Sequence, residues 1–105
     1  MTKENYASGI CEDEIVLLLK HNSPILLKTA KLHLPLFFTN LHDFHPKLVR
    51  SELTFCIYLK FNFTTKEISK FLNVTPKAIQ NRKNRIRKKL SIPSDVDLYK
   101  WLNYI

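Results

Sequence analysis

The chain has 105 residues, of which 45% are hydrophobic and 25% are charged. This length predicts one compact domain with a modest core, and the hydrophobic fraction argues against a disordered chain. Seventeen lysines and arginines against nine aspartates and glutamates give a formal charge of +8, which favours a polyanionic partner, either nucleic acid or an acidic membrane surface. The excess lies in residues 46–105, which carry 13 basic and four acidic residues, whereas residues 1–45 carry four and five.

The cysteines and the apolar segments favour a reduced, cytoplasmic protein. Cys11 and Cys56 are far apart and form no CxxC or Cys/His pattern. The first apolar run follows acidic residues, which is atypical of a secretion signal, and no segment approaches the roughly 20 apolar residues that a membrane span needs. We therefore expect no membrane-spanning segment, and of the two polyanions we expect nucleic acid and not a membrane as the partner.

The first 44 residues predict two or three short helices after a polar arm at residues 1–9. Residues 12–20 have an acidic start and an apolar body, as expected of a helix whose dipole favours negative charge at its beginning. A polar residue before Pro24 predicts a second helix, and Pro35 predicts the start of a third. These helices would form an N-terminal extension that packs on the rest of the chain or forms a dimer interface.

The His45-Pro46 pair marks the boundary between this extension and a second part, residues 45–105, because a residue before proline disfavours the helical region. Ser51 is a candidate cap for a helix at about residues 52–61 that is apolar on nearly all sides. Such a helix is normally enclosed by others. Ser94 is a candidate cap for a last helix with apolar residues at helical spacing: Leu98, Trp101, Leu102 and Ile105.

Between those helices, residues 64–90 predict two helices joined by a tight turn. Thr64 with Glu67 three residues later forms a capping box, which begins the first helix. Asn73 suits a left-handed residue after that helix, and Asn62 suits the turn before it. Thr75 followed by proline is a second start signal. This pattern predicts a helix-turn-helix.

The second helix of this pair carries the main functional signal. With Ile79 placed at zero and 100° per residue, Ile86 and Leu90 fall within about 20° of it, which defines the core side. The opposite side carries Lys77, Asn81, Asn84 and Lys88, with Gln80 at one edge and Arg85 at the other, so it combines amides with cations. Amides can bond adenine edges while lysine and arginine neutralise phosphates, so this helix is predicted to enter the major groove of double-stranded DNA.

The flanks of this helix supply further predicted phosphate contacts. Residues 82–89 contain six basic side chains, among which Lys83 starts near the core side and would extend outward along its stem. Arg87 lies on a flank, and Thr65 and Lys66 on the preceding helix could touch the backbone. The predicted DNA-binding residues are Thr65, Lys66, Lys77, Gln80, Asn81, Lys83, Asn84, Arg85, Arg87 and Lys88.

The stretch TTKEISKFLNVTPKAIQNRKNRIRKKLSI resembles the DNA-binding domain of LuxR/GerE-type regulators, in the variants that end in a basic RxRKKL segment. The resemblance covers about residues 44–105 and implies a four-helix domain, a recognition helix at about residues 75–89, and binding as a homodimer to two half-sites. By position it implies base or adjacent phosphate contacts for Gln80, Asn81, Lys83 and Asn84, and backbone contacts for Lys66 and Lys88. The family usually has glycine at the position of Asn62.

Two alternatives remain open. The pair of helices also resembles region four of sigma factors, which would make RNA polymerase the necessary partner. The other alternative is a helical protein-interaction module that has lost DNA binding, with a surface on the third helix formed by Phe37, Phe38, Leu41 and Phe44.

An enzyme is not expected, because the chain has a single glycine and hence no glycine-rich phosphate loop. His33, His42 and His45 with Cys11 or Asp43 match no strong metal-site spacing, so no metal or cofactor is predicted. The sequence therefore predicts an all-α, helix-turn-helix transcriptional regulator.

Overall fold

The computed structural model describes residues 9–105, with side chains from residue 13 onward, and the predicted arm at residues 1–9 lies almost wholly outside this range. The described part of the chain is all-helical, as predicted, and contains no strand. Its helices are α1 (Gly9–Lys20), α2 (Leu26–His33), α3 (Pro35–Phe44), α4 (Arg50–Lys60), α5 (Thr65–Leu72), α6 (Pro76–Lys89) and α7 (Leu98–Tyr104). None of these helices is long and apolar enough to cross a membrane.

The three N-terminal helices form as predicted, and the starts of α1 and α2 are shifted. Helix α1 begins three residues before the predicted residue 12. Pro24 lies in a turn and α2 begins only at Leu26, whose amide donates to the Ser23 carbonyl at 3.1 Å. Pro35 begins α3 as predicted, because its missing N–H is at a position that has no partner within a helix.

The prediction that Ser51 caps α4 is wrong. Helix α4 begins at Arg50, and extended Val49 precedes it with no side-chain cap. The start of α4 is instead stabilised by a residue inside the helix, because the Glu52 carboxylate accepts a hydrogen bond from the Val49 amide at 3.0 Å. This is one half of a capping box, and it leaves the Ser51 side chain exposed.

The α5–α6 pair follows its local signals closely. Thr64 Oγ1 accepts from the Glu67 amide at 3.1 Å, and the Glu67 carboxylate accepts from the Thr64 amide at 2.8 Å. Asn73 is left-handed with φ of 57°, and Thr75 Oγ1 accepts from the Ala78 amide at 3.1 Å. Asn62, with φ of 64°, makes the predicted turn before α5. The capping and turn predictions for residues 62–76 are confirmed.

The last helix begins at a different cap from the predicted Ser94. Asp97 is the N-cap of α7, and its Oδ1 accepts from the Lys100 amide at 3.1 Å. Leu98 and Leu102 are buried and Trp101 is half-buried, so the predicted apolar side is the packed side.

The hydrophobic core runs through both predicted parts of the chain, with α4 near its centre. Of the four α3 residues of the alternative interaction surface, Phe37 and Leu41 are 4% and 0% exposed and Phe38 packs against the core, whereas Phe44 is 55% exposed. Tyr58 on α4 donates from its hydroxyl to the Leu19 carbonyl of α1 at 2.6 Å. At the far end, Asn40 Nδ2 donates to the Ile105 carbonyl at 2.6 Å. The N-terminal helices therefore support the same core that seats α5 and α6.

Candidate nucleic-acid interface

Helix α6 has one sealed side and one open side. Ile79, Ile86 and Leu90 are 0%, 3% and 5% exposed, which confirms the predicted core side. The opposite side is exposed along its length and carries the predicted amides and cations: Lys77, Gln80, Asn81, Asn84, Arg85 and Lys88. Pro76 at the first helical turn and Thr75 as cap fix where this side begins.

Amide groups form the centre of the open side. Gln80 Nε2 donates to Asn84 Oδ1 across one helical turn at 3.4 Å, a long and exposed bond. Because this bond lies at the upper limit of hydrogen-bond length, it costs little to exchange for a better partner. Asn81 lies beside the pair and is exposed. The three amides can therefore donate to and accept from an external ligand such as a base edge.

On the flank that faces α5 and α7, Lys83 points inward. Its Nζ donates to Thr65 Oγ1 at 2.5 Å and lies 4.6 Å from the ring centre of Tyr99. Burial lowers the pKa of Lys83, and the nearby charge of Asp97 opposes this effect in part. The structure thus brings Lys83 and Thr65, both predicted to touch DNA, into contact with each other, where they join three helices. The predicted outward extension of Lys83 does not occur.

Tyr99 completes this contact from α7. Its hydroxyl donates to the Phe63 carbonyl at 2.6 Å, and burial, followed by the charges of Asp97 and Glu67, raises its pKa to about 12. The ring is therefore neutral and fixed beneath the Lys83 ammonium at physiological pH. A cation held over an aromatic face is stabilised by the ring quadrupole.

Arg87 also points back into the protein. Its Nη1 donates to the Pro93 carbonyl at 2.8 Å and to the Val96 carbonyl at 2.7 Å. These bonds hold the connection between α6 and α7 against the end of α6. Arg87 was predicted from its charge to contact phosphate, and its loop carbonyl partners have no local sequence signal that could have indicated this role.

On the flank that faces α4, Lys89 Nζ and Glu52 Oε2 form a salt bridge of 2.8 Å. Burial alone would raise the pKa of Glu52, but hydrogen bonds from Lys89 and from the Val49 amide outweigh it and lower the pKa. Arg82 is half-buried on the same flank, and Arg85 is exposed beside it. On α5, Lys66 is exposed and available to solvent, as predicted.

The side chains that could bind a metal lie apart from one another in the described part of the chain. Among residues 13–105, no three His, Cys, Asp or Glu side chains are placed to hold a metal ion, and the side chain of Cys11 lies outside the described residues. Burial, followed by the charge of Glu52, raises the pKa of the Cys56 thiol to about 12. The nucleophilic thiolate is thus scarce at neutral pH.

Comparisons of the chain with protein-family models, with curated proteins and with solved structures find no match. The candidate site is therefore defined by the residues and geometry of α5, α6 and their neighbours.

Proposed function

We propose that the protein binds double-stranded DNA sequence-specifically and regulates transcription, with α6 as the recognition helix in the major groove. The observation that carries this proposal is the open side of α6, where exposed amides lie between exposed cations on a helix whose other side is fully packed. A rigid helix with this side exposed matches the width and the chemistry of the major groove.

The exposed side chains have two proposed roles: residues that contact bases (readers) and residues that contact phosphates (holders). Gln80, Asn81 and Asn84 would meet base edges, since amides bond adenine bidentately. The exposed cations would neutralise phosphates and supply most of the affinity: Lys66, Lys77, Arg85 and Lys88. In this proposal Lys83, Thr65 and Arg87 support α6 from within, which is a change from their predicted contact with DNA.

The proposal includes the LuxR/GerE-like arrangement for α4–α7 and binding as a homodimer to two half-sites. The order of helices α4–α7 and the three-residue connection between α5 and α6 are compatible with it. Two copies of α6 would then occupy successive major grooves, about one helical turn apart on the duplex.

The test is fluorescence anisotropy with a labelled duplex selected from a randomised pool, repeated over a range of salt concentrations. Four neutralised phosphates per subunit predict that log affinity falls against log salt with a slope of roughly −3 to −4 per subunit. A flat salt response, or no binding at low salt, would refute the proposal.

The division into readers and holders has its own test. Asn84→Ala should reduce the preference for the selected duplex over a scrambled one, whereas Lys88→Ala should weaken both duplexes equally and flatten the salt slope by about 1. Both residues are exposed, so neither change should alter folding. Equal losses of preference in the two variants would show that the roles are wrongly assigned.

A further inference from the structure

A polar groove runs between the start of α4 and the middle of α6. One part, of about 260 Å³, is lined by Ser51, Glu52, Phe55, Arg82, Arg85 and Ile86. An adjoining part, of about 310 Å³, shares Ser51, Phe55 and Arg82 and extends to Arg50 and Thr54. The groove therefore has an apolar floor, two hydroxyls on its α4 wall and arginines on both walls.

The arginines of this groove carry more positive charge than the groove neutralises. Arg82 is half-buried and makes no hydrogen bond or ion pair with any other described residue. Arg50 uses one Nη2 hydrogen bond on the Pro24 carbonyl at 3.0 Å, which fixes its position without neutralising it. The one carboxylate on the wall, Glu52, is already paired with Lys89 at 2.8 Å. Like charges that line one groove repel one another, and a bound anion would relieve this repulsion.

The two flanks of α6 differ in what their cations can do. On the flank that faces α5 and α7, Lys83 donates a hydrogen bond to Thr65, and Arg87 donates to two loop carbonyls. Arg82, on the α4 flank, has its guanidinium fork available, and Arg85 lies one turn further along, at the exposed edge of the open side. Of the two flanks of α6, the α4 flank is therefore the one whose guanidinium groups are available to a backbone phosphate.

We propose that this groove binds a phosphate of the DNA backbone, with Arg82 as the bidentate donor and Arg50, Arg85 and the Ser51 hydroxyl around it. This inference rests on the proposed DNA binding and identifies the place where the protein would bind the backbone of one DNA strand. Guanidinium forks match the oxygens of a phosphate, and the dipole of α4 adds positive potential at the same end. The groove joins the open side of α6 through Arg85, which favours the backbone of the duplex being read over a separate acidic peptide.

The test uses the full chain and the selected duplex, with the charge of single phosphates removed by methylphosphonate substitution. For the wild-type protein, replacing one particular phosphate per half-site with a methylphosphonate should lower the affinity for the duplex roughly tenfold. Arg82→Gln should lower affinity for the native duplex by a similar factor and flatten the salt slope by about 1. In this variant, the methylphosphonate that weakened binding of the wild-type protein should cause no further loss of affinity. Lys31→Gln removes the same charge from an exposed position on α2 outside the groove and should leave the methylphosphonate penalty intact.

Arg82→Lys separates a phosphate contact from a structural role, because it keeps the charge and loses the fork. It should keep the salt slope and lose most of the affinity that Arg82→Gln loses, while thermal unfolding shows that the variant is folded. If the unmodified protein binds the duplex but both Arg82 variants bind it equally well, the groove proposal is wrong and the proposed function stands. If the unmodified protein does not bind duplex DNA, both are wrong. If the Arg82 variants no longer bind a labelled polyglutamate peptide that the wild-type protein binds, and their duplex binding is unchanged, the groove binds an acidic partner and the phosphate site is refuted.

Discussion

Helices α4 and α6 are joined by the Glu52–Lys89 salt bridge and have contrasting surfaces. In α4, the five consecutive residues 55–59 are buried on every side of the helix. In α6, which is three residues longer, only Ile79 and Ile86 are buried. Helix α4 thus contributes apolar surface in all directions, whereas α6 is seated by one side and presents the other. An enclosed helix contributes only to the fold, whereas a helix that packs along a single side keeps the other side available to a ligand.

This difference predicts how substitutions in the two helices will act. Changes in α4 should lower the free energy of unfolding, and changes on the open side of α6 should leave it unchanged. Substitutions of the cations on the flanks of α6 show whether each cation stabilises the fold or binds the ligand.

The largest expected effect is in α4. Ile57 is 0% exposed, so Ile57→Ala removes packed methyl groups and leaves a cavity, which should cost about 2–5 kcal/mol of unfolding free energy. Urea denaturation followed by circular dichroism measures it. Gln80→Ala on the open side of α6 is the control and should change stability by less than about 0.5 kcal/mol. A similar loss in both variants would remove the distinction between the two helices.

A smaller effect is expected on the inward flank of α6. Arg87→Met removes two hydrogen bonds to the Pro93 and Val96 carbonyls and should cost roughly 1–3 kcal/mol. Arg85→Met deletes the same charge from an exposed position and should leave urea stability nearly unchanged while weakening DNA binding. If Arg87→Met unfolds at the same urea concentration as the original protein, the internal role of Arg87 is refuted.

Next is the polar contact between α4 and α1. Tyr58→Phe removes the hydroxyl that donates to the buried Leu19 carbonyl at 2.6 Å and leaves that acceptor without its partner. The expected cost is about 1–2 kcal/mol, read as a lower melting temperature. Tyr104→Phe is the matched control, because Tyr104 is 90% exposed and the same loss of a hydroxyl should have no effect there.

The smallest effect concerns the salt bridge that joins the two helices. The pKa of Glu52 is lowered in the folded protein, so the carboxylate stabilises the fold above its usual pKa of 4.5, and this contribution is lost as pH falls through the lowered value. Glu52→Gln should therefore cost roughly 0.5 kcal/mol at pH 7 and nothing at acid pH. Because the pair is partly exposed, added salt should also reduce the difference at pH 7. A difference between the two proteins that does not change with pH would refute this account.

The α5–α6 pair and the sealed side of α6 could be predicted from the sequence because their signals are local. A capping box, a left-handed asparagine and a Thr-Pro start each act within about four residues, so the sequence around Thr64, Asn73 and Thr75 was sufficient to predict both helices. The apolar spacing of Ile79 and Ile86 likewise determined which side of α6 packs. The predictions for Ser51 and Ser94 failed although both are good caps by type. Helix α4 begins after Val49, whose amide donates to the Glu52 carboxylate, and α7 begins after Asp97, a second cap residue three positions beyond Ser94.

Only the tertiary structure decided which cations face outward. Lys83, Arg87 and Arg82 have equal charge and long, flexible stems, so their positions on a helical wheel do not fix where their charges lie. Lys83 is drawn inward by Thr65, 18 positions earlier, and by the ring of Tyr99, 16 positions later. Arg82 keeps an available fork because the start of α4 leaves a groove there. The sequence determined that α6 is a basic, one-sided helix, and packing against distant residues decided which of its charges serve the fold, because those partners adjoin α6 only in the folded chain.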